Sequence, residues 1–178
     1  MSGIYVLLAV FEFILTAALS MLVIYFHYRS YIITNSDYDA SEELKKNNIA
    51  VAILLSAMLV GAGWIVKQGI YPVVNLVRLQ LTSPLLNLSM PQVGLIAVLH
   101  LMLVFIVAVF TISLGLRFWG RLNRSLRWGE ELKKGNVAVG LVLAAVVLVL
   151  ASFMSDGVSR LTKSLIPQPS LGVVQIAE

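Results

Sequence analysis

Glu12 and His100 are ionisable residues inside runs that are otherwise apolar, and an offset of 88 positions separates them. A carboxyl and an imidazole at such positions can bond one another across helices, or form a proton- or cation-sensitive site. Polar groups in hydrocarbon need a partner or water, and usually face the bundle interior. Thr16 and Ser20 follow Glu12 at steps of four residues, so one face of that helix carries polar groups. The plainer reading is a neutral, carbonyl-bonded Glu12 acting as packing glue, with His100 a satisfied histidine among the helices. A second group of charges recurs. Glu42, Glu43, Lys45, Lys46 and Asn48 have counterparts in Glu130, Glu131, Lys133, Lys134 and Asn136. On a helix, Glu42 stands four residues before Lys46, and Glu130 four before Lys134, the favourable order for a pair worth about 0.2–0.5 kcal/mol. The block reads either as a self-paired turn anchoring a helix where it enters the bilayer, or as a docking patch for a partner or a second subunit. Arg117, Arg121, Arg124 and Arg127 add a basic stripe with Trp119 and Trp128 as interfacial anchors, for which contact with anionic headgroups is the simplest account.

Other chemistry is scarce. There is no cysteine, which excludes disulfides, thiolate metal sites and a cysteine nucleophile. With His27 and His100 the only histidines, a histidine-rich metal site within one chain is excluded. The sequence contains no His-Glu-x-x-His, no phosphate-binding or dinucleotide glycine loop, and no Gly-x-Ser-x-Gly elbow. The expectation is a protein without cofactor or enzymatic activity.

The elements that carry these groups follow from repetition and hydropathy. Residues 42–52 and 130–140 agree at eight of eleven positions, a fixed-period match that marks duplication. Hydrophobic residues make up 59% of the 178, charged residues 12%, and mean hydropathy is +0.91, far from a soluble chain with about 25% charge. Four apolar runs explain this: Ile4–Tyr28, Ile49–Val66, Val93–Leu116 and Val137–Met154. A helix needs about 20 mainly apolar residues to cross a ~30 Å core, so the second and fourth runs are near the minimum. Glu12 does not exclude the first run: a central charge costs about 2.5–3.5 kcal/mol and each large aliphatic neighbour returns about 0.3–0.6. The N-terminus lacks a basic region and a small-residue cleavage site, so the first helix is expected to be retained.

The fold expected is an all-α integral membrane protein of four transmembrane helices, arranged as two tandem, parallel helical hairpins. Residues 1–68 form the first repeat, 92–160 the second, and 161–178 an exposed tail. Between the repeats, residues 69–91 hold Val73, Leu76, Val77 and Leu81 on one helical face and Asn75, Arg78 and Thr82 on another. This amphipathic segment is expected at the outer interface, over a neighbouring subunit, or as a greasy connector. Small residues one turn apart, Ala57 with Gly61 and Gly140 with Ala144, permit close helix approach. Loops 29–48 and 117–136 hold nine lysines and arginines against four in the 67–78 segment and the tail. Short basic loops stay inside, so both are expected in the cytoplasm with both termini outside. The net charge of +4 sits beside membrane spans and suggests lipid headgroups rather than nucleic acid.

Two hairpins, each with an acidic-acidic-Leu-Lys-Lys block before its second span, resemble the bacterial "domain of unknown function 350" membrane family over roughly residues 4–160. Lys134-Gly135-Asn136-Val137-Ala138-Val139 is closer to the family pattern than the first copy, where Asn47 replaces the glycine. The resemblance carries over no catalytic residue. It implies a multi-span bacterial inner-membrane protein alongside membrane-stress or membrane-remodelling partners.

Four spans with little soluble mass leave helix faces, lipids and the two matched loops as working surfaces. The first expectation is a homo-oligomeric scaffold or accessory subunit of a membrane complex, docking partners at the cytoplasmic face. The alternative is an oligomeric ion or proton channel, or small-solute conduit, that uses Glu12 and His100. A lipid-handling enzyme is a third and weaker reading.

Overall fold

The structure, a computed structural model, describes residues 2–34, 38–82, 88–123 and 126–165. These residues are helical or in short turns, in the order α1 (Ser2–Thr34), α2 (Ala40–Lys45), α3 (Ile49–Thr82), α4 (Met90–Leu122), α5 (Trp128–Lys133) and α6 (Val137–Leu165). A long helix, a six-residue helix and a second long helix thus occur twice over. α1, α3, α4 and α6 are each long and apolar enough to cross a membrane. At 1.5 Å per residue, the 34 residues of α3 extend about 50 Å, beyond a ~30 Å hydrocarbon core.

α3 is the central helix. Over its most apolar stretch 56% of residues are buried, against 17% for α1. Leu54 and Ile65 on α3 and Leu143 and Val147 on α6 are fully enclosed. Gly61 and Gly140 supply the close approach expected of the small residues. A Cβ on Gly61 would stand 2.9 Å from the Ala151 Cβ, and one on Gly140 would stand 2.7 Å from the Ala50 carbonyl oxygen. Lipid tails are as apolar as leucine, so helices in a bilayer associate through such contacts and through hydrogen bonds rather than by exclusion of water.

The amphipathic segment, read from the sequence as an interfacial helix, a cover over a neighbouring subunit or a connector, is continuous with α3. The helix continues through Gly69 and Pro72 to Thr82. Gly69 allows the continuation because α4 comes so near that a Cβ there would be 2.9 Å from Val104 Cγ2. The apolar face read from the sequence therefore rests on α4: Leu76 and Val93 are buried together with Val77, Leu88 and Ile96 around them. Gln80 Nε2 donates to the Leu88 carbonyl at 2.8 Å and ties down the return. Residues 83–87 of that linker lie outside the described residues. α6 likewise runs past the expected repeat boundary to Leu165, and the remaining tail, 166–178, is outside the described residues.

Gly140→Ala is expected to lower stability by about 1–3 kcal/mol, because its new methyl meets backbone that cannot rotate away. Gly94→Ala, which meets open space, should leave the melting temperature unchanged or raised. Thermal unfolding of both variants in detergent checks the contrast.

Candidate functional site

Each elbow is built locally by one hydrogen-bond pattern. Asp39 Oδ1 caps α2, accepting from the backbone N–H groups of Ser41 at 2.8 Å and Glu42 at 3.3 Å. The chain then turns at Asn47, with φ of 60°, and in the second copy at Gly135, with φ of 80°. Asparagine is the residue after glycine that tolerates this left-handed region, which accounts for the exchange between copies. The Asn47 N–H donates to the Leu44 carbonyl at 3.0 Å and the Asn48 N–H to the Glu43 carbonyl at 3.0 Å. In the second elbow Gly135 donates to Leu132 at 2.9 Å and Asn136 to Glu131 at 2.9 Å. This paired closure satisfies carbonyls at the helix end that have no intrahelical partner.

The side chains repeat as well. Asn48 Oδ1 accepts from the Val51 N–H at 3.2 Å, starting α3, while its Nδ2 donates to Glu43 Oε2 at 2.9 Å. Asn136 Oδ1 accepts from Val139 at 3.4 Å, and its Nδ2 donates to Glu131 Oε2 at 2.9 Å. The other carboxylate oxygens accept from Lys46 at 2.9 Å and from Lys134 at 2.8 Å. The lysines therefore pair three residues back with the second glutamate, and not four back with Glu42 or Glu130 as the spacing alone predicts. Each short helix ends before Lys46 or Lys134. Glu130 instead pairs with Arg127 at 2.9 Å.

One bond distinguishes the copies. Asn48 Nδ2 also donates to the Leu132 carbonyl of the other elbow at 2.8 Å, with Lys133 further off at 3.4 Å. The two elbows therefore touch at one end of the bundle. Glu43 is 5% exposed, whereas Glu42, Lys45, Glu130 and Lys133 face outward. The Asn48 amide, then the Lys46 ammonium, hold the Glu43 carboxyl below its ordinary range. Glu131 is lowered by Lys134 first and Asn136 second, and both lysines are raised by their glutamates.

The intramembrane polar residues are distributed differently from the sequence expectation. Glu12, Thr16 and Ser20 line a groove of about 600 Å³ between α1 and α3, together with Gly63 and Lys67. His100 is not among its lining residues. It is 4% exposed beside the Gly69 backbone of α3, and neither ring nitrogen makes a hydrogen bond of ordinary geometry. Lys67, on a different helix, stands in the same groove as Glu12. No local signal joins residues so far apart in the chain. His27 is buried too, with Nδ1 3.1 Å from the Val23 carbonyl and its ring against Phe105. Among the described residues no three His, Asp or Glu side chains converge as metal ligands.

Arg117, Arg121 and Arg127 are exposed near the elbows; Arg124 lies outside the described residues. Trp119 and Trp128 pack partly buried against the core, and a Cβ on Gly120 would be 2.8 Å from Trp128 Nε1.

The chain belongs to the family described as Domain of Unknown Function (DUF350), which it matches over residues 4–158. No curated protein matches it. No solved structure does so either.

Asn48→Ala removes a helix cap and a buried link, and is expected to destabilise by about 1–3 kcal/mol in chemical or thermal unfolding. Asn47→Gly should be neutral or stabilising by up to about 1 kcal/mol, since it relieves the positive φ. Because the Glu43 pKa is depressed on folding, its contribution is complete above the ordinary glutamate range and is lost as pH falls through the depressed value. Acid titration of the melting temperature should show that loss, and Glu43→Gln should flatten it.

Proposed function

We propose that this DUF350 protein is an oligomeric scaffold or accessory subunit of a bacterial inner-membrane assembly, with its paired elbows forming a docking surface at the cytoplasmic face. The observation that carries this reading is the elbow-to-elbow bond, Asn48 Nδ2 to the Leu132 carbonyl at 2.8 Å. It joins two charged turns into one surface. The inner members, Glu43, Asn48, Glu131 and Asn136, are occupied with one another, so their role is to hold the shape. The outer members, Glu42, Lys45, Glu130 and Lys133, face outward toward a partner, Glu130 within an exposed ion pair with Arg127. Exposed charges that no fold requires are available for recognition, while those in the lock are not. The nine basic residues of the two elbow loops support the cytoplasmic side. Arg117 and Arg121 suit anionic headgroups beside that surface.

The groove gives specific support to a second reading, a conduit for protons or small cations. Glu12, Thr16, Ser20 and Lys67 form a polar strip in an otherwise apolar wall. Intramembrane ionisable groups commonly mark ion pathways. This version of the conduit leaves out His100, which is packed elsewhere.

Native mass measurement in detergent or nanodiscs should find a multimer, and tagged chain purified from bacterial membranes should bring its partners with it. Reversing all four outer charges (Glu42→Lys, Lys45→Glu, Glu130→Lys, Lys133→Glu) should abolish that co-purification while the unfolding free energy stays within about 1 kcal/mol of wild type, the loss of the exposed Arg127–Glu130 pair included. Retained partners would refute the docking surface. For the conduit, proteoliposomes should show proton or cation flux that Glu12→Gln suppresses, and a flux-free protein would end that reading.

A further inference from the structure

We infer that the interface between the two halves of one chain is used again between chains, with α6 of one copy seated in the α1–α3 groove of the next. The inference rests on the oligomeric reading above and gives it a geometry.

The argument comes from counterparts 88 positions apart. Within the chain, α3 of the first repeat lies between α4 and α6 of the second. Each contact it makes there has a counterpart, which pairs α6 with α1 and α3 of a following copy. Along the stretch from Gly61 to Gly69 the counterpart residues are exposed or face open space. Gly61 lies against Ala151; the counterparts are Val149, 55% exposed, and Gly63, with no atom within 4 Å of an added Cβ. Gly69 lies against Val104; the counterparts are Gly157, also with nothing within 4 Å, and Thr16, exposed on α1. Ile65 is fully buried at the centre of this contact, while its counterpart Phe153 is 75% exposed.

Apolar exposure alone would carry nothing in a protein surrounded by lipid. Two polar observations point the same way. Asn48 bridges from its own elbow to the Leu132 carbonyl, whereas Asn136 makes the matching bonds within its elbow but, among the described residues, no bridge. The acceptor corresponding to Leu132 is the Leu44 carbonyl of another copy. His100, buried against the Gly69 backbone, has Glu12 as its counterpart. In the assembly Glu12 is therefore covered by the Gly157 turn of a neighbour, which removes a carboxyl from lipid contact. The α1–α3 groove of about 600 Å³ is the vacant equivalent of the seat that α3 occupies, and Phe153 is the side chain placed to fill it. Such a contact is head-to-tail, so it generates a ring if the rotation closes and an open row if it does not.

The absence of native cysteine makes the test direct. Gly61 and Ala151 approach to 2.9 Å between Cβ positions, so cysteines at the counterpart positions fall within disulfide reach. Chains carrying Gly63→Cys and Val149→Cys under different tags should crosslink in oxidised membranes only when co-expressed, and the double variant should give higher multimers. Val142→Cys, two helical turns away from Val149, should not crosslink to Gly63→Cys. Both Gly63 and Val149 face open space, so the substitutions leave the single chain's fold alone. Gly157→Leu should raise the dissociation constant of the multimer by about tenfold to a hundredfold without changing the unfolding of the monomer. Crosslinking of either single variant to itself, or no crosslink between copies, overturns the interface. A multimeric native mass with those results would leave the oligomeric reading standing. A monomeric mass would overturn both.

Discussion

A helix that turns back at the edge of a bilayer leaves carbonyls at one end and N–H groups at the next start, and hydrocarbon offers no substitute partner for them. Asn48 meets that constraint with one residue. Its backbone N–H closes α2 on the Glu43 carbonyl, and its side-chain oxygen opens α3 on the Val51 N–H. Its amide nitrogen then reaches the opposite elbow. The carboxylate of Glu43 keeps that amide oriented and accepts from Lys46 with its other oxygen. The packing of α3 against α6 starts here, because the bridge fixes where both helices leave the elbows.

From that fixed end, glycine determines how near the long helices come. Gly140 meets Ala50 beside the elbows, Gly61 meets Ala151 further along, and Gly69 meets Val104 on α4. A methyl at any of the three would force a shift. This spacing makes α3 the most enclosed helix and leaves α1 the least. The asymmetry underlies the proposed contact between copies, because α1, bearing Glu12, and α6, bearing Phe153, are both more exposed than α3.

The duplicated glutamate-lysine block announces both elbows, and its identity between copies is what a repeated local hydrogen-bond pattern requires. The pairing inside the block was legible only in part. Spacing favours Glu42 with Lys46, yet the short helix ends at Lys45, and the turn at Asn47 swings Lys46 onto Glu43. The amphipathic pattern of residues 73–82 was likewise legible as a helix with one apolar face. What covered that face was not, since α4 and a lipid interface present the same apolar chemistry to it. Glu12 and His100 share a repeat position, but that equivalence assigns them matching surroundings and not contact with one another.

Composition and periodicity by themselves determined four apolar helices, the two turns between them, and the residue types at each turn. These depend on local backbone chemistry and on the thickness of a bilayer, which every segment meets independently. The tertiary structure alone decided that the elbows interlock, that Glu43 lies within the lock while Glu42 faces outward, and that Lys67 shares a groove with Glu12 while His100 does not. Those outcomes depend on how closely separate helices approach. Single missing methyl groups set that distance, and no local pattern records which helix will fill the space.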